Sequence, residues 1–502
     1  MLQLAAITDS LGFKIALLDN NAFRLPIDAV RQTIKEEQWD VIGIGGLTTQ
    51  YRFIKDLAKV CREEHPAALL VAGGGFLSAQ PHDMMRWIPE FNIGCIGESY
   101  VTWREVLEHT KDQNWKKVKG LVYRKGKKTK MSKMRPLIPQ KDLDDEVPWP
   151  AYEFSPVETY LLNSRIPYSP EAMHPQCRRL DVLSSYGCPW HCSFCFHLGA
   201  SPHCQSKIYG KKVTGKPFRQ HSPKYIVDLI THLRLVYAVN FVSFLDENFT
   251  FNRKWFYSFC NELEESGLAT LIHWGVVGHS RTVDQKMLEK GRDCGLSYIS
   301  YGGESASLKL LKQCHKGQTK EQMTTAIEAT QAAGINPIMS FIIGFPNTTI
   351  DDLITDCQFY IDNQVHVVPF FLQPYPATEL FEKYKDRIIE QYLTEDEKAF
   401  LEEPTPERLL AVYGDDKPKP SKSLVAKRAP ILKQKIKDAA LERWVLVLDD
   451  AVKFSVNLTD DFNDVELAGL RYMLSTWDIE RLKKFKKILE ERSDKRSERN
   501  ES

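Results

Sequence analysis

"YGCPWHCSFCFH", residues 186–197, spaces Cys188, Cys192 and Cys195 as C-x3-C-x2-C, with His191 and His197 beside them. Gly187 and Pro189 break any helical or strand period, so the run reads as a loop, and it follows an apolar stretch, "RLDVLSS" (179–185), that reads as a strand. A structural zinc site closes with four ligands, commonly as two separated pairs. Here the fourth would have to be His191, His197 or Cys204, and no second pair stands nearby. Three thiolates suit a four-iron, four-sulfur cluster with one iron left open, because cysteine thiolates are what hold such clusters.

Outward from this loop the chain repeats one unit. After the helix "HSPKYIVDLITHLRLVY", with Ser222 as N-cap and Pro223 at its first position, strands are expected at "NFVSFLDE" (240–247), "LIHWGVV" (271–277), "SYISYGGES" (297–305), "NPIMSFIIGFP" (336–346) and "HVVPFFLQP" (366–374). With "RLDVLSSYG" these make six parallel βα units, a barrel or part of one, whose active residues belong at the C-terminal strand ends.

The first 125 or so residues alternate in the same way. "FKIALLD" (13–19), "DVIGIGGL" (40–47), "ALLVAGGG" (68–75) and "NIGCIGES" (92–99) read as strands of a parallel sheet with Gly-rich ends. The chain opens on a helix, "LQLAAITDSLG", with no strand before it, which predicts a shortened or altered sheet edge. "GLVYRKGKKTKMSKMRPLI" (120–138) reads as a hairpin with a basic turn, and "DLDDEVPWPAYEFSP" (142–156) as a linker. The C-terminal part turns helical at "KQKIKDAALERWVLVLDDAVKF" and "DIERLKKFKKILEERSDKRSERNES", the latter ending in a charged tail expected to be disordered.

A length of 502 residues fits two or three domains, and 43% hydrophobic residues fit large cores. The 67 basic and 66 acidic residues leave a net charge of +1, so no global field points to nucleic acid. The first residues lack a basic n-region and carry Asp9, which argues against a signal peptide, and no uncharged apolar run reaches membrane-spanning length. The other eight of the 11 cysteines are scattered singly, as in a reduced cytoplasmic protein.

"CPWHCSFC" resembles the cluster motif of the radical S-adenosylmethionine (SAM) superfamily, in which an aromatic residue, here Phe194, precedes the third cysteine. "FLDENFTFNR" (244–253), "YGGESAS" (301–307), "SFIIGFPNTTIDDL" (340–353) and "LQPYPATEL" (372–380) resemble further strand-end motifs of the subgroup with a cobalamin-binding domain ahead of the barrel. The resemblance implies an α/β fold in four parts. These are a Rossmann-like, cobalamin-binding-like sheet over 1–135, a linker over 136–175, a partial (βα)6 barrel over 176–385 and a helical region over 386–502.

It implies that Cys188, Cys192 and Cys195 hold a [4Fe-4S] cluster whose open iron binds SAM, with Asp246 and Glu247 near the SAM amine. Glu304 and Ser305 would contact its ribose or carboxylate, and Gly303 would clear space for it. Arg281 would pair with a carboxylate, and Gly344, Phe345 and Pro346 would line the adenine. In the front domain Thr48, Gly73, Gly74 and Glu98 are the expected cobalamin contacts, with no D-x-H-x-x-G present to supply a histidine to cobalt. Read from local structure alone, Glu304 is a helix N-terminal residue, Asp246 a turn residue, Arg281 a surface arginine and 344–346 a tight turn. The implied chemistry is reductive cleavage of SAM to a 5'-deoxyadenosyl radical that takes a hydrogen atom from a small-molecule or peptide substrate. Cobalamin would then make the outcome a methylation; without it, a rearrangement, cyclisation or oxidation. An electron donor such as a flavodoxin or ferredoxin is implied as partner.

Overall fold

The computed structural model describes the chain except residues 127, 197–205, 207–209, 211–217, 415–418, 449–454, 477 and 502, and except the side chains of 495–501. Among the described residues the strands form two main sheets and one short ladder. The front sheet has β1 (Val41–Gly45), β2 (Leu69–Gly73) and β3 (Ile93–Cys95) in parallel, continued antiparallel by the hairpin β4 (Leu121–Lys125) and β5 (Lys128–Met131). The second sheet contains β6 (Arg179–Val182), β9 (Phe241–Phe244), β10 (His273–Gly278), β11 (Leu296–Glu304), β12 (Asn336–Ile343) and β13 (His366–Phe371), all parallel and in chain order. Between β6 and β9 lies the ladder of β7 (Ser185–Tyr186) and β8 (Arg219–Gln220), which pair antiparallel.

The helix after β8, Pro223–Tyr237, begins as its sequence dictates. The Ser222 hydroxyl accepts the Tyr225 N–H at 3.1 Å, Pro223 occupies the first turn, and Ile226, Leu229, Ile230 and Leu233 are buried on one face. Residues 13–19 are a correction. They form no strand, and β1 is the sheet's outer strand. An extended apolar segment becomes a strand only by pairing its N–H and C=O groups with a neighbour, and no ladder reaches 13–19.

The N-terminal end of the barrel is closed from below by the segment before β6. Tyr168 packs edge-on against Tyr298 (5.3 Å) and His366 (5.9 Å), and the hydroxyls of Ser169 and Ser297 lie 3.0 Å apart. At the outer edge Pro369, which has no N–H to donate, sits in β13 as edge strands permit. The helix Asp464–Ser475 covers that strand, with the Arg471 guanidinium 5.3 Å from the Phe371 ring.

One core runs through three regions. Phe76, Met84 and Phe91 of the front domain, Phe345 and Leu372 of the barrel, and Leu441 and Trp444 of the helix Lys422–Val447 form a single buried cluster. Trp444 stacks on Phe381 at 5.5 Å, while Glu442 accepts the Tyr51 hydroxyl at 2.7 Å and the Lys55 ammonium at 2.6 Å. The last helix, Ile479–Glu501, packs on the barrel helix Ile350–Asn363. Among the described residues no helix is long and apolar enough to cross a membrane.

Candidate functional site

The three cysteines lie on the loop that leaves β7, and nearly every strand end of the barrel grips it. From β9, Asp246 accepts the Ser184 N–H (3.0 Å) and hydroxyl (2.6 Å) and the Ser185 hydroxyl. From β10, His279 stacks on Trp190, ring centres 4.6 Å apart. After β11, the Cys314 carbonyl accepts the Ser193 N–H at 3.0 Å. After β12, Phe345 meets Phe194 edge-on at 5.7 Å. After β13, Leu380 donates its N–H to the Ser193 carbonyl at 2.9 Å. Each residue type is needed for its contact: a flat ring to stack, a small residue to expose its backbone, an apolar ring to enter the core.

Cys188 is buried, while Cys192 and Cys195 are half-buried. Burial pushes the Cys188 thiol up to about 12 and holds Cys195 well above the ordinary thiol range, with Glu247 and the neighbouring thiols acting in the same direction and Lys316 against it. The three groups therefore share one electrostatic environment. Among the described residues no three His, Cys, Asp or Glu side chains close on a single ion, and the loop's donor set there is three thiols. It fits a cluster, in which each thiolate takes a different iron. His197 and Cys204 lie outside the described residues; His191 is exposed.

Glu304 was expected here from its motif, but its cationic partner was not. Lys316 Nζ stands 2.7 Å from Glu304 Oε1, both nearly buried. Burial alone would pull this ammonium down, but Glu304, Cys192 and Cys195 together keep it above the usual lysine range. The pair occupies the space over Gly302, where a Cβ would lie 2.5 Å from Lys316 Nζ and 2.6 Å from Glu304 Oε1. Lys316 arrives on a turn with two left-handed residues, His315 (φ 55°) and Gly317 (φ 69°), and that lone Lys-Gly was the available signal. His279 Nδ1 accepts the Arg281 N–H (3.2 Å), which leaves Nε2–H to donate to the Lys316 carbonyl (3.2 Å). Arg281 is exposed; it lies over Trp190 at 5.2 Å and donates to the Gly317 carbonyl at 2.7 Å.

Several expected contacts have other partners. Asp246 is spent on Ser184 and Ser185 and supports the loop from beneath. A Cβ on Gly303 would strike Met339 Sδ at 2.5 Å and Phe341 at 2.7 Å, so this glycine makes room for β12 side chains. Ser305 is fully buried and gives its hydroxyl to Asp356 at 2.8 Å. The register shift between Gly302 and Glu304, with Glu304 at φ 64°, reorients the end of β11. Glu247 is exposed, Gly344 is left-handed (φ 95°), and Phe345 and Pro346 are buried beside it.

Asp356, which also accepts the Ala306 N–H at 2.6 Å, yields a prediction. Burial pushes its carboxyl up to about 7, against the pull of the Ala306 and Ser305 donors. The folded state therefore holds this proton more tightly than the unfolded chain, whose value is 3.8. Folding stability falls as pH rises between these values, by up to roughly 4 kcal/mol from this group. The stability of Asp356→Asn relative to the native protein in thermal denaturation should rise from pH 5 to pH 8; an equal difference at both would contradict the assignment.

In the front domain Thr48 is buried at the turn after β1. A Cβ on Gly73 would stand in open space, whereas Gly74 (φ 88°) brings its backbone against Gly46, where a Cβ would lie 2.6 Å from the carbonyl oxygen. The strand end at Gly73 is thus open on its Cβ side. Glu98 has both oxygens on the Arg219 guanidinium.

Comparison with known proteins agrees with this arrangement. Residues 182–360 match the model of the Radical SAM superfamily and residues 1–107 that of the B12 binding domain. An uncharacterized methyltransferase of Pyrococcus horikoshii is 26% identical over 370 residues, covering 73% of this chain and 74% of its own. An anaerobic magnesium-protoporphyrin IX monomethyl ester cyclase of Cereibacter sphaeroides is 26% identical over 372 residues, 72% of this chain and 56% of its own. The radical SAM methyltransferase TsrM of Kitasatospora setae shares the fold, with TM-score 0.61 and 14% identity over 77% of this chain and 72% of its own. With the cysteine loop held by the barrel and the Gly-lined sheet ahead of it, the chain carries a radical SAM domain preceded by a B12-binding domain.

Proposed function

We propose that the protein methylates an unactivated carbon of a small molecule or peptide, using SAM, a [4Fe-4S] cluster and cobalamin. The observation that carries the reading is the three-thiol loop, gripped by the barrel's strand ends and joined by a buried ion pair to a strand end of the B12-type sheet. When bound, the cluster supplies the electron that splits the SAM sulfonium, and cobalamin carries the methyl group. Cys188, Cys192 and Cys195 hold the cluster. The Lys316–Glu304 pair, Glu247 and Arg281 provide charge for the amino acid end and ribose of SAM, and Phe194, Gly344, Phe345 and Pro346 form its apolar wall. Asp246, Gly303 and Ser305 hold these groups in place, and Thr48, Gly73 and Gly74 form the cobalamin platform. The Tyr168 plug closes the barrel from below and excludes water from that side.

Domain limits at about 135, 175 and 385, a flavodoxin or ferredoxin as electron donor, and a cytoplasmic location complete the proposal. The methyltransferase name of the Pyrococcus horikoshii relative supports methylation. The test is anaerobic reconstitution with hydroxocobalamin, reduction and SAM. Methylation requires both 5'-deoxyadenosine and S-adenosylhomocysteine among the products. The first alone, with no cobalamin retained on gel filtration, would instead favour a cobalamin-independent radical reaction.

A further inference from the structure

The cysteine loop is tied at its root to the front domain. Tyr186, two residues before Cys188, pairs in register with Arg219, so the loop leaves and re-enters the fold at one place. The Arg219 side chain is 2% exposed and forks onto both oxygens of Glu98, itself 9% exposed. Glu98 stands in a turn after β3, between the left-handed Gly97 (φ 80°) and Ser99 (φ 56°), and Gly97 is fixed by donating its N–H to Ser78 Oγ at 3.0 Å. Two residues further on, the Tyr100 hydroxyl donates to that of Tyr186 at 3.2 Å, with the rings edge-on at 5.9 Å. The Gln140 side chain brackets Gln220 at 2.5 and 2.9 Å, and Arg219 also donates to the Ile138 carbonyl at 3.0 Å.

A bidentate guanidinium–carboxylate pair fixes orientation as well as distance, and burial makes its loss costly because it leaves a charge without a partner. The turn holding Glu98 is one of the strand ends at which an open α/β sheet receives its ligand. We infer that Glu98 and Arg219 are positioning residues that couple occupancy of the front-domain strand ends to the arrangement of Cys188, Cys192 and Cys195. The inference rests on the proposed cobalamin site. Coupling of this kind is reciprocal: hydroxocobalamin steadies the cysteine arm, and a filled cysteine site tightens hydroxocobalamin binding.

The test uses full-length, iron-free protein under anaerobic conditions. Alkylation of Cys188, Cys192 and Cys195 by iodoacetamide is timed by peptide mass spectrometry with and without hydroxocobalamin, and hydroxocobalamin affinity is measured by absorbance. In the native protein hydroxocobalamin should slow alkylation of these cysteines about fivefold or more, the range of ordinary allosteric coupling. Glu98→Gln, nearly isosteric, and Arg219→Gln should still bind hydroxocobalamin while losing most of this protection. Circular dichroism separates lost coupling from lost folding, and with two variants a misfolded one leaves the other to decide. Native protein that binds no hydroxocobalamin refutes the cobalamin site itself. Native protein that binds it without protection, or folded variants that keep full protection, overturn the coupling.

Discussion

Replacing any one of Cys188, Cys192 and Cys195 by alanine abolishes SAM cleavage, with 5'-deoxyadenosine formation down by at least about 10³-fold, or ~4 kcal/mol of barrier. The size follows from the donor count. Among the described residues the loop offers three thiols, with His191 exposed beside them. A cluster short of one thiolate has no other thiol among the described residues of the loop to replace it, whereas a four-donor metal site could exchange a lost thiol for a neighbouring imidazole. His191→Ala, His197→Ala and Cys204→Ala should therefore keep both iron content and cleavage. Iron and sulfide analysis with product chromatography checks all six variants; retained cleavage in any of the first three would undo the site.

The second large effect is expected at Lys316. Lys316→Met leaves the Glu304 carboxylate with its side chain 8% exposed and its cation gone. Breaking one side of a buried pair costs about 3–5 kcal/mol, more than removing both sides together. Lys316→Met should therefore lower the thermal midpoint sharply, and Lys316→Met combined with Glu304→Gln should recover much of that loss. The two variants differ from a merely structural lesion in function. If the pair also meets SAM, the double variant regains stability without regaining SAM cleavage. Thermal denaturation and single-turnover assays on both variants supply the comparison, and a double variant less stable than the single one would sink the argument.

The strand ends and the cysteines were legible because their signals are local. Apolar runs of five to eight residues, Gly-rich exits and the C-x3-C-x2-C spacing each lie within a dozen residues, and all six barrel strands stand where the pattern puts them. Partners were not legible. A carboxylate at a strand end announces that it needs donors, and Asp246, Glu98 and Ser305 all have polar partners, yet those partners come from 62, 121 and 51 residues away. Lys316 lies only 12 residues past Glu304, but it reaches back through a turn whose left-handed residues carry little sequence signature apart from one glycine. The failed strand at 13–19 has the same root: β-structure is a property of pairs, and a single segment cannot report whether its neighbour exists.

The hydrogen bond from Tyr51 to Glu442 spans 391 residues of sequence. Contacts so far apart close late, because the intervening chain must first be made and its loop entropy met. While the ribosome is still adding the final segments, the faces of Tyr51, Trp87 and Phe381 that Trp444 and its helix will cover remain wet and adhesive. Chains halted before residue 440 should consequently be captured by chaperones or aggregate, although both sheets are already encoded, and overproduction should favour slow synthesis at low temperature.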